Sequence, residues 1–344
     1  MSVLIKPLSI GSYVLDSNLF LAPMAGVTDR AFRTMCRQLG ASYAVSEMVL
    51  AKAQFQTSIK TTTRINHIGE ESPIAVQIVG TEPEEMAQAA LFNIQHGAQI
   101  IDINMGCPAK KVCKKLSGSA LMKDEKLAIS IIEAVVKACE PLNVPVTLKI
   151  RTGWSEETKN ALVIARHAEN SGIAMLTVHG RTREQAYKGL AEYDTIAEIK
   201  QSVKIPVVAN GDIDSPQKAK FVLQKTGADA LMIGRAAQKR PWIFREIALY
   251  LTTGQIPAPP ESVDIYSWVA RFLHQHHNIH GESTALRSAR KYIHWLTMNM
   301  PEGKSLCQKF NQAQNFDEQL EIIQDGLLNL SYISKKNQKC LIHS

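Results

Sequence analysis

The sequence predicts an α/β chain: a (β/α)8 TIM-type barrel followed by a smaller all-helical domain. Three observations carry this reading. Eight short β-rich runs recur at near-regular spacing over about 235 residues, with helix-like patterns between most of them. Prolines and glycines fall where helices start and stop. A proline-rich stretch then gives way to helical periodicity alone.

The strand-like runs are residues 19–22, 43–46, 74–79, 100–104, 145–150, 175–178, 205–209 and 230–233. Several are almost continuously apolar, as befits parallel strands covered on both faces. Helical spacing fits 29–39, 83–96, 125–139, 156–170 and 216–225. Pro83 and Pro216 sit in first turns, and Gly97, Gly172 and Gly227 follow the last periodic residues. An open doubly wound sheet is the alternative, but it usually carries G-x-G-x-x-G after an early strand. This chain has neither that motif nor a Walker A loop. Residues 1–252 are read as the barrel and 253–262 (TGQIPAPPES) as a stiff linker. Residues 263–344 are read as a helical domain, with helices over 263–280, 283–299 and 316–330.

Composition narrows the class. Of 344 residues, 45% are hydrophobic and 21% charged, which suits a packed globule and excludes wholesale disorder. No run approaches the ~18 apolar residues of a membrane span, and Lys6, Pro7 and Asp16 break up any signal-like start. Six cysteines, none in a C-x-x-C pair, read as reduced thiols of a cytoplasmic protein. The net charge of +7 leans toward anionic partners. Residues 255–344 hold nine basic and eight acidic residues, so most of that excess lies in the barrel.

In such a barrel the site forms at the C-terminal ends of the strands. Those ends carry Ala22-Pro23-Met24, Gln77, Asn104 to Pro108, Lys149 to Gly153, His179 to Thr182, Asn210-Gly211-Asp212 and Gly234-Arg235. Polar groups at nearly every strand end predict a large ligand across the mouth. Asn210-Gly211-Asp212 and Gly234-Arg235, in loops seven and eight, suit a phosphate; taken singly, their glycines would only make tight turns. Lys149 ends the strand VTLKI and points inward if alternation holds. It is either an ion-pair partner of Asp102 or Glu47, or a cation beside the pyrimidine edge of a flavin. Cys107, between glycine and proline, is placed as a general acid, whereas Cys36 and Cys139 suit small buried hydrophobes. Lys110, Lys111, Lys114, Lys115, Arg151, Arg181, Arg183 and Lys188 would ring the mouth, extended by Arg287, Arg290 and Lys291; an ordinary solvated surface is the bland alternative. On a helix, His276/His280, His277/His280 or His274/His277 share a face. No carboxylate or cysteine motif accompanies them, so the sequence assigns no metal.

The segments LAPMAGVTDRAFR, VSEM, VQIVG, IDINMGCPAKKV, SGSALM, VTLKIRTGW, HGRTR, VVANGDI and ADALMIGRAAQKRPWIFREI resemble, in order, those of the tRNA-dihydrouridine synthases, most like the bacterial B type. The resemblance is dense from about residue 10 to 250 and looser beyond. It implies an FMN-bound barrel with a helical tRNA-binding domain; a monomer is a separate expectation. The implied reaction is that of an oxidoreductase on a CH–CH group. A uridine in the tRNA D loop, position 17 being the candidate, gains hydride at C6 from flavin reduced by NADPH or NADH, and a proton at C5. Cys107 matches the proton donor. Ala22, Pro23, Met24, Gln77, Lys149, His179, Asn210, Gly211, Asp212, Gly234 and Arg235 match cofactor contacts. Asn104, Arg151 and Arg181 are assigned to the substrate. Two other readings stay open: an FMN barrel acting on a free small molecule such as a dihydropyrimidine, and a non-enzymatic tRNA-binding protein.

Overall fold

The computed structural model describes residues 4–51, 64–113 and 116–340. A hairpin of β1 (Leu8–Ile10) and β2 (Tyr13–Leu15) comes first, turned at Gly11. The barrel strands are β3 (Leu19–Leu21), β4 (Tyr43–Ala44), β5 (Val49–Leu50), β6 (Ala75–Val79), β7 (Ile100–Met105), β8 (Val146–Arg151), β9 (Met175–His179), β10 (Val207–Asn210) and β11 (Ala230–Ile233). All pair in parallel, in the order β4-β3-β11-β10-β9-β8-β7-β6-β5. The two outer members are halves of one strand. Val45 bridges Ala75 between them, so the sheet closes on itself. The run expected at 43–46 therefore continues, after an irregular step at Ser46–Met48, into a second half that sequence pattern did not mark.

Strand alternation separates two cores. Leu19, Leu21, Val76, Ile78, Ile101, Ile103, Leu148, Ile150, Leu176 and Val178 face outward, beneath the helices. Phe20, Ala75, Ile100, Met175, Val208, Ala230 and Met232 face inward. The hairpin's Leu8, Ile10 and Leu15 join the inward set and plug the lower end of the barrel. Each large apolar side chain sealed there stabilises the fold by about 1.5–3 kcal/mol. Higher up, the inward positions turn polar.

The outer helices are α1 (Arg30–Gln38), α2 (Pro83–Gln95), α3 (Lys110–Cys113), α4 (Glu125–Cys139), α5 (Ala161–Asn170), α6 (Asp194–Ser202), α7 (Pro216–Thr226), α8 (Arg235–Lys239) and α9 (Ile243–Thr253). The helix expected from residue 156 starts at Ala161 instead, because Gly153 and Lys159 pair across a tight loop. Four more follow: α10 (Ser262–His280), α11 (Glu282–Thr297), α12 (Gly303–Gln312) and α13 (Phe316–Cys340). Of these, α12 went unanticipated. Phe32 of α1, Phe272 of α10 and Tyr292 of α11 form an aromatic cluster with ring centroids 4.8–6.4 Å apart. That cluster seats the C-terminal helices on the first barrel helix. No helix among the described residues is long and apolar enough to cross a membrane.

Candidate active site

Register brings the polar inward residues together. Gln77 pairs with Asp102, Asp102 with Thr147, Asn104 with Lys149, Arg151 with His179, and His179 with Asn210. Above them opens a cavity of about 1140 Å³. Its wall includes Ala22, Pro23, Met24, Gln77, Asn104, Cys107, Lys149, Arg151, His179, Asn210, Gly211, Asp212, Gly234 and Arg235. Arg181 is the one sequence-predicted site residue that does not line it.

Arg181 is 1% exposed, and protein acceptors hold its guanidinium. It donates to Lys188 O, Gly189 O and Asp212 Oδ2, and lies 3.4 Å from His179 Nε2. These partners make Arg181 a brace for the wall around His179 and Asp212. Burial, then the cations Lys149 and Arg151, push His179 well below its usual range, so its imidazole is neutral. Arg181 donates toward Nε2, which leaves the ring proton on Nδ1, 2.7 Å from Asn210 Oδ1. The same oxygen accepts from Lys149 Nζ at 3.0 Å, and Asn210 Nδ2 donates to Met232 O.

Lys149 therefore does not form the ion pair anticipated with Asp102 or Glu47. Asp102 accepts from Gln77 and Thr147 at 2.7 and 2.6 Å, and Glu47 accepts from the Gly26 amide. Burial, reinforced by Arg151, lowers the Lys149 ammonium to about 8. Burial likewise lifts Asp102 to about 6 against those two hydrogen bonds and the Lys149 charge. The upper barrel thus holds Lys149, Arg151 and Arg181 near a weakened acid: an interior that favours anionic ligands.

Asn104 ends in an Asx turn. Its Oδ1 accepts from Gly106 N and Cys107 N, and its Nδ2 donates to Gln77 Oε1 at 2.7 Å. This turn aims the Cys107 loop. Ser119 fixes the loop from behind by donating through N and Oγ to Cys107 O. Arg151 adds a hydrogen bond from Nε to Gly106 O, and its Nη1 donates to Thr182 O and Ala186 O. Burial raises the Cys107 thiol above its usual range, so it carries its proton at neutral pH.

The two phosphate-type loops differ. Gly211 has φ +128°, and a Cβ there would meet Ala191 Cβ at 2.7 Å, so packing alone demands glycine. At Gly234 a Cβ would lie 3.6 and 3.7 Å from Met24 Sδ and Ala22 Cβ, an ordinary contact. Packing does not demand that glycine, and its missing side chain leaves room in the cavity. Asp212 holds Arg235 at 2.7 Å as well as Arg181.

The expected cationic rim changes composition. Arg151 and Arg181 are interior, at 2% and 1% exposure. Lys110 and Lys188 are exposed, while Lys114 and Lys115 lie outside the described residues, as does the side chain of Lys111. Lys291, partly exposed, donates to Gly26 O. Several wall residues escaped sequence reasoning: Met48, Tyr187, Gln238, Lys239, Arg240, His294, Trp295, Met298 and Asn299. The last four come from α11 and its end, where no motif flagged them. Lys239 and Arg240 do stand within the resembling segment IGRAAQKRPW.

A family model described as dihydrouridine synthase matches residues 20–331. A protein of Xanthomonas axonopodis pv. citri named tRNA-dihydrouridine synthase B is 52% identical over 318 residues, covering 92% of this chain and 95% of that one. Proteins of the same name from Pseudomonas aeruginosa and Shewanella oneidensis are each 53% identical, covering 90% and 92% of this chain and 92% and 97% of their own. Among solved structures, the old yellow enzyme homologue of Zymomonas mobilis superposes with a TM-score of 0.54 at 14% identity, over 78% of this chain and 96% of that one. Histamine dehydrogenase from Rhizobium sp. 4-9 gives 0.57 at 12%, over 79% and 51%. These two likenesses bear on the barrel fold alone.

Proposed function

The chain belongs to the dihydrouridine synthase family, and from that premise we propose that it reduces the 5,6 double bond of a D-loop uridine in tRNA, using bound FMN and NADPH or NADH. The observation that carries this reading is one cavity with a protonated thiol, Cys107, and a half-buried ammonium, Lys149, on its wall.

The residues fit the cofactor. The cavity exceeds the ~300–1,000 Å³ that holds one drug-sized ligand, which leaves room for a tricyclic ring and a nucleobase. Gly234 keeps space that packing does not require. A flavin held here would supply hydride chemistry. Ala22, Pro23 and Met24 give an apolar wall, and Gln77, His179 and Asn210 give polar edges. Lys149, steadied by Asn210, offers a cation where negative charge gathers. Gly211, Gly234 and Arg235 would hold the phosphate, with Asp212 orienting Arg235.

The remaining steps belong to this chain's residues. Hydride addition at C6 leaves carbanion character at C5, and the Cys107 thiol holds the proton that C5 takes. Asn104 positions that thiol. Arg151 orients the loop through Nε and Nη1 and has Nη2 left for the base. A uridine in folded tRNA must leave its stack to enter, a cost of a few kcal/mol that phosphate contacts offset. Lys239 and Arg240 supply cations on the cavity wall, the exposed Lys110 and Lys188 follow its Ala109 and Tyr187, and residues 263–344 act as the tRNA-binding domain of a cytoplasmic monomer.

The test is direct: incubate purified protein with NADPH and tRNA made without modifications, then quantify dihydrouridine by mass spectrometry. One D-loop position should be converted. A protein that oxidises NADPH and reduces a free dihydropyrimidine precursor but leaves tRNA untouched would overturn the reading.

A further inference from the structure

The sequence offered four histidines near residue 276 and no companion carboxylate. The fold supplies one. Asp29, the N-cap of α1, accepts the Phe32 amide through Oδ1 and turns Oδ2 toward α10. His276 Nδ1 and His280 Nε2, one helical turn apart, each lie 3.0 Å from that oxygen. His276 is 1% exposed, and the Asp29 and His280 side chains are 10% and 19% exposed. None of the three lines the large cavity.

The protons do not balance. Ser288 Oγ gives its one proton to Thr284 O at 2.9 Å, so His276 Nε2, 2.7 Å from Ser288 Oγ, must be the donor there. In the neutral ring His276 Nδ1 then carries a lone pair 3.0 Å from a carboxylate oxygen. That nitrogen is buried and makes no hydrogen bond of acceptable angle. Tyr292 OH adds a third neighbour to Asp29 Oδ2 at 3.2 Å, but it also serves Val27 O at 2.7 Å. His280 Nε2 hydrogen-bonds Asp29 Oδ2 at 3.0 Å, through a proton that a metal would replace, whereas the lone pairs of His276 Nδ1 and Asp29 Oδ2, 3.0 Å apart and off the hydrogen-bond line, fit a cation beside that line. Two bonds of about 2.1 Å meeting near a right angle span that distance.

We propose that Asp29, His276 and His280 bind one divalent transition-metal ion of the zinc class, at the seam between the barrel and the C-terminal helices. The donor set, two imidazoles and one carboxylate, is of zinc type, and water completes the tetrahedron from the partly exposed His280 side. The three ligand atoms lie within 4.8 Å of one another, so shifts of ~1 Å close the shell. Ser288 holds the distal nitrogen of His276, the outer contact that fixes a ligating imidazole. The ion would pin α10 to the loop ending at Asp29, the same loop whose Ala22 to Val27 segment forms cavity wall. This inference does not depend on what the cavity binds.

The test uses the full chain, stripped with chelator and then dialysed against Zn²⁺ or Co²⁺ under reducing conditions. The expected result is one zinc per chain after gel filtration and the visible bands of tetrahedral Co²⁺ without thiolate charge transfer. His280→Gln should weaken zinc binding at least ~tenfold and abolish those bands. Asp29→Asn keeps a capping oxygen and should do the same, so loss of fold in one variant leaves the other decisive. Equal metal uptake by wild type and both variants, or none by wild type at micromolar zinc, overturns the proposal and leaves a proton on His276 in the metal's place.

Discussion

Lys149 tests whether this barrel gives up stability for a charged interior. The fall of its ammonium from 10.5 to about 8, caused first by burial and then by Arg151, measures the cost of keeping it charged. At about 1.4 kcal/mol per tenfold, that is about 3 kcal/mol. One side of the chain faces an open cavity, and solvent there cuts the figure to about half. Losing the Asn210 hydrogen bond returns part of it, about 0.5 kcal/mol, because His179 still serves that oxygen. Lys149→Met should therefore make flavin-free protein about 1 kcal/mol more stable at pH 7. For 344 residues this is a rise in Tm of about 1–2 °C.

The sign with pH is fixed by linkage. Between pH 8 and 10.5 the unfolded chain keeps the lysine proton that the folded chain has shed, so wild-type stability rises with pH there. The advantage of Lys149→Met is greatest below pH 8 and vanishes as pH passes 10.5. Urea unfolding of both proteins from pH 6 to 10 measures it, with flavin content read from absorbance. A variant less stable than wild type at pH 7, or a gap that does not close with pH, refutes the buried-charge argument. Unchanged flavin affinity refutes the cofactor role.

Cys107→Ala should retain flavin and NADPH oxidation but lose about 10²–10⁴-fold in dihydrouridine formation, measured per tRNA by mass spectrometry. Because burial raises its thiol, alkylation of Cys107 by iodoacetamide should still be climbing above the ~8.5 of a free thiol, a rate that peptide mapping follows. Glu70 pairs with buried Arg33 at 2.5 Å and is held at about 2, with Arg33 and His67 outweighing its burial. Its stabilisation is whole above pH 4.5 and lost as pH falls through 2; Glu70→Gln should cost about 3 kcal/mol at pH 7 in urea unfolding. Asn104→Ala frees the Gly106 and Cys107 amides, and uridine reduction should fall about 10–100-fold with flavin content unchanged. Binding of tRNA, followed by filter retention from 50 to 200 mM salt, should weaken with the slope of several released counterions.

The barrel was legible because its signals are local. Apolar runs, first-turn prolines and terminal glycines each act within a few residues, and seven of the eight strands lie where the pattern put them. The exceptions have long-range causes. The strand at 43–50 is split because Glu47 leaves the ladder to take the Gly26 amide, a partner 21 residues away. The hairpin at 8–15 is too short to declare itself, and only the open barrel floor gives Leu8, Ile10 and Leu15 a place to be buried.

The site divides along the same line. Which residues reach the mouth follows from alternation, and every residue predicted to touch cofactor or substrate, except Arg181, lines the cavity. What each does there depends on its partners, which spacing does not carry. Arg181 read as a free cation until Asp212, 31 residues on, took its guanidinium. Asn104 lines the cavity as its spacing predicted, but only the fold shows that its oxygen holds the amides of its own loop. The histidines of α10 lacked a carboxylate within their motif, yet Asp29, about 250 residues upstream, stands 3.0 Å from two of them. A ligand set split between the first barrel loop and the C-terminal helices exists only once both are folded and docked. If metal binds there, it stabilises that docked arrangement by mass action, and the cavity wall shared by Met24 and Trp295 becomes firmer with it.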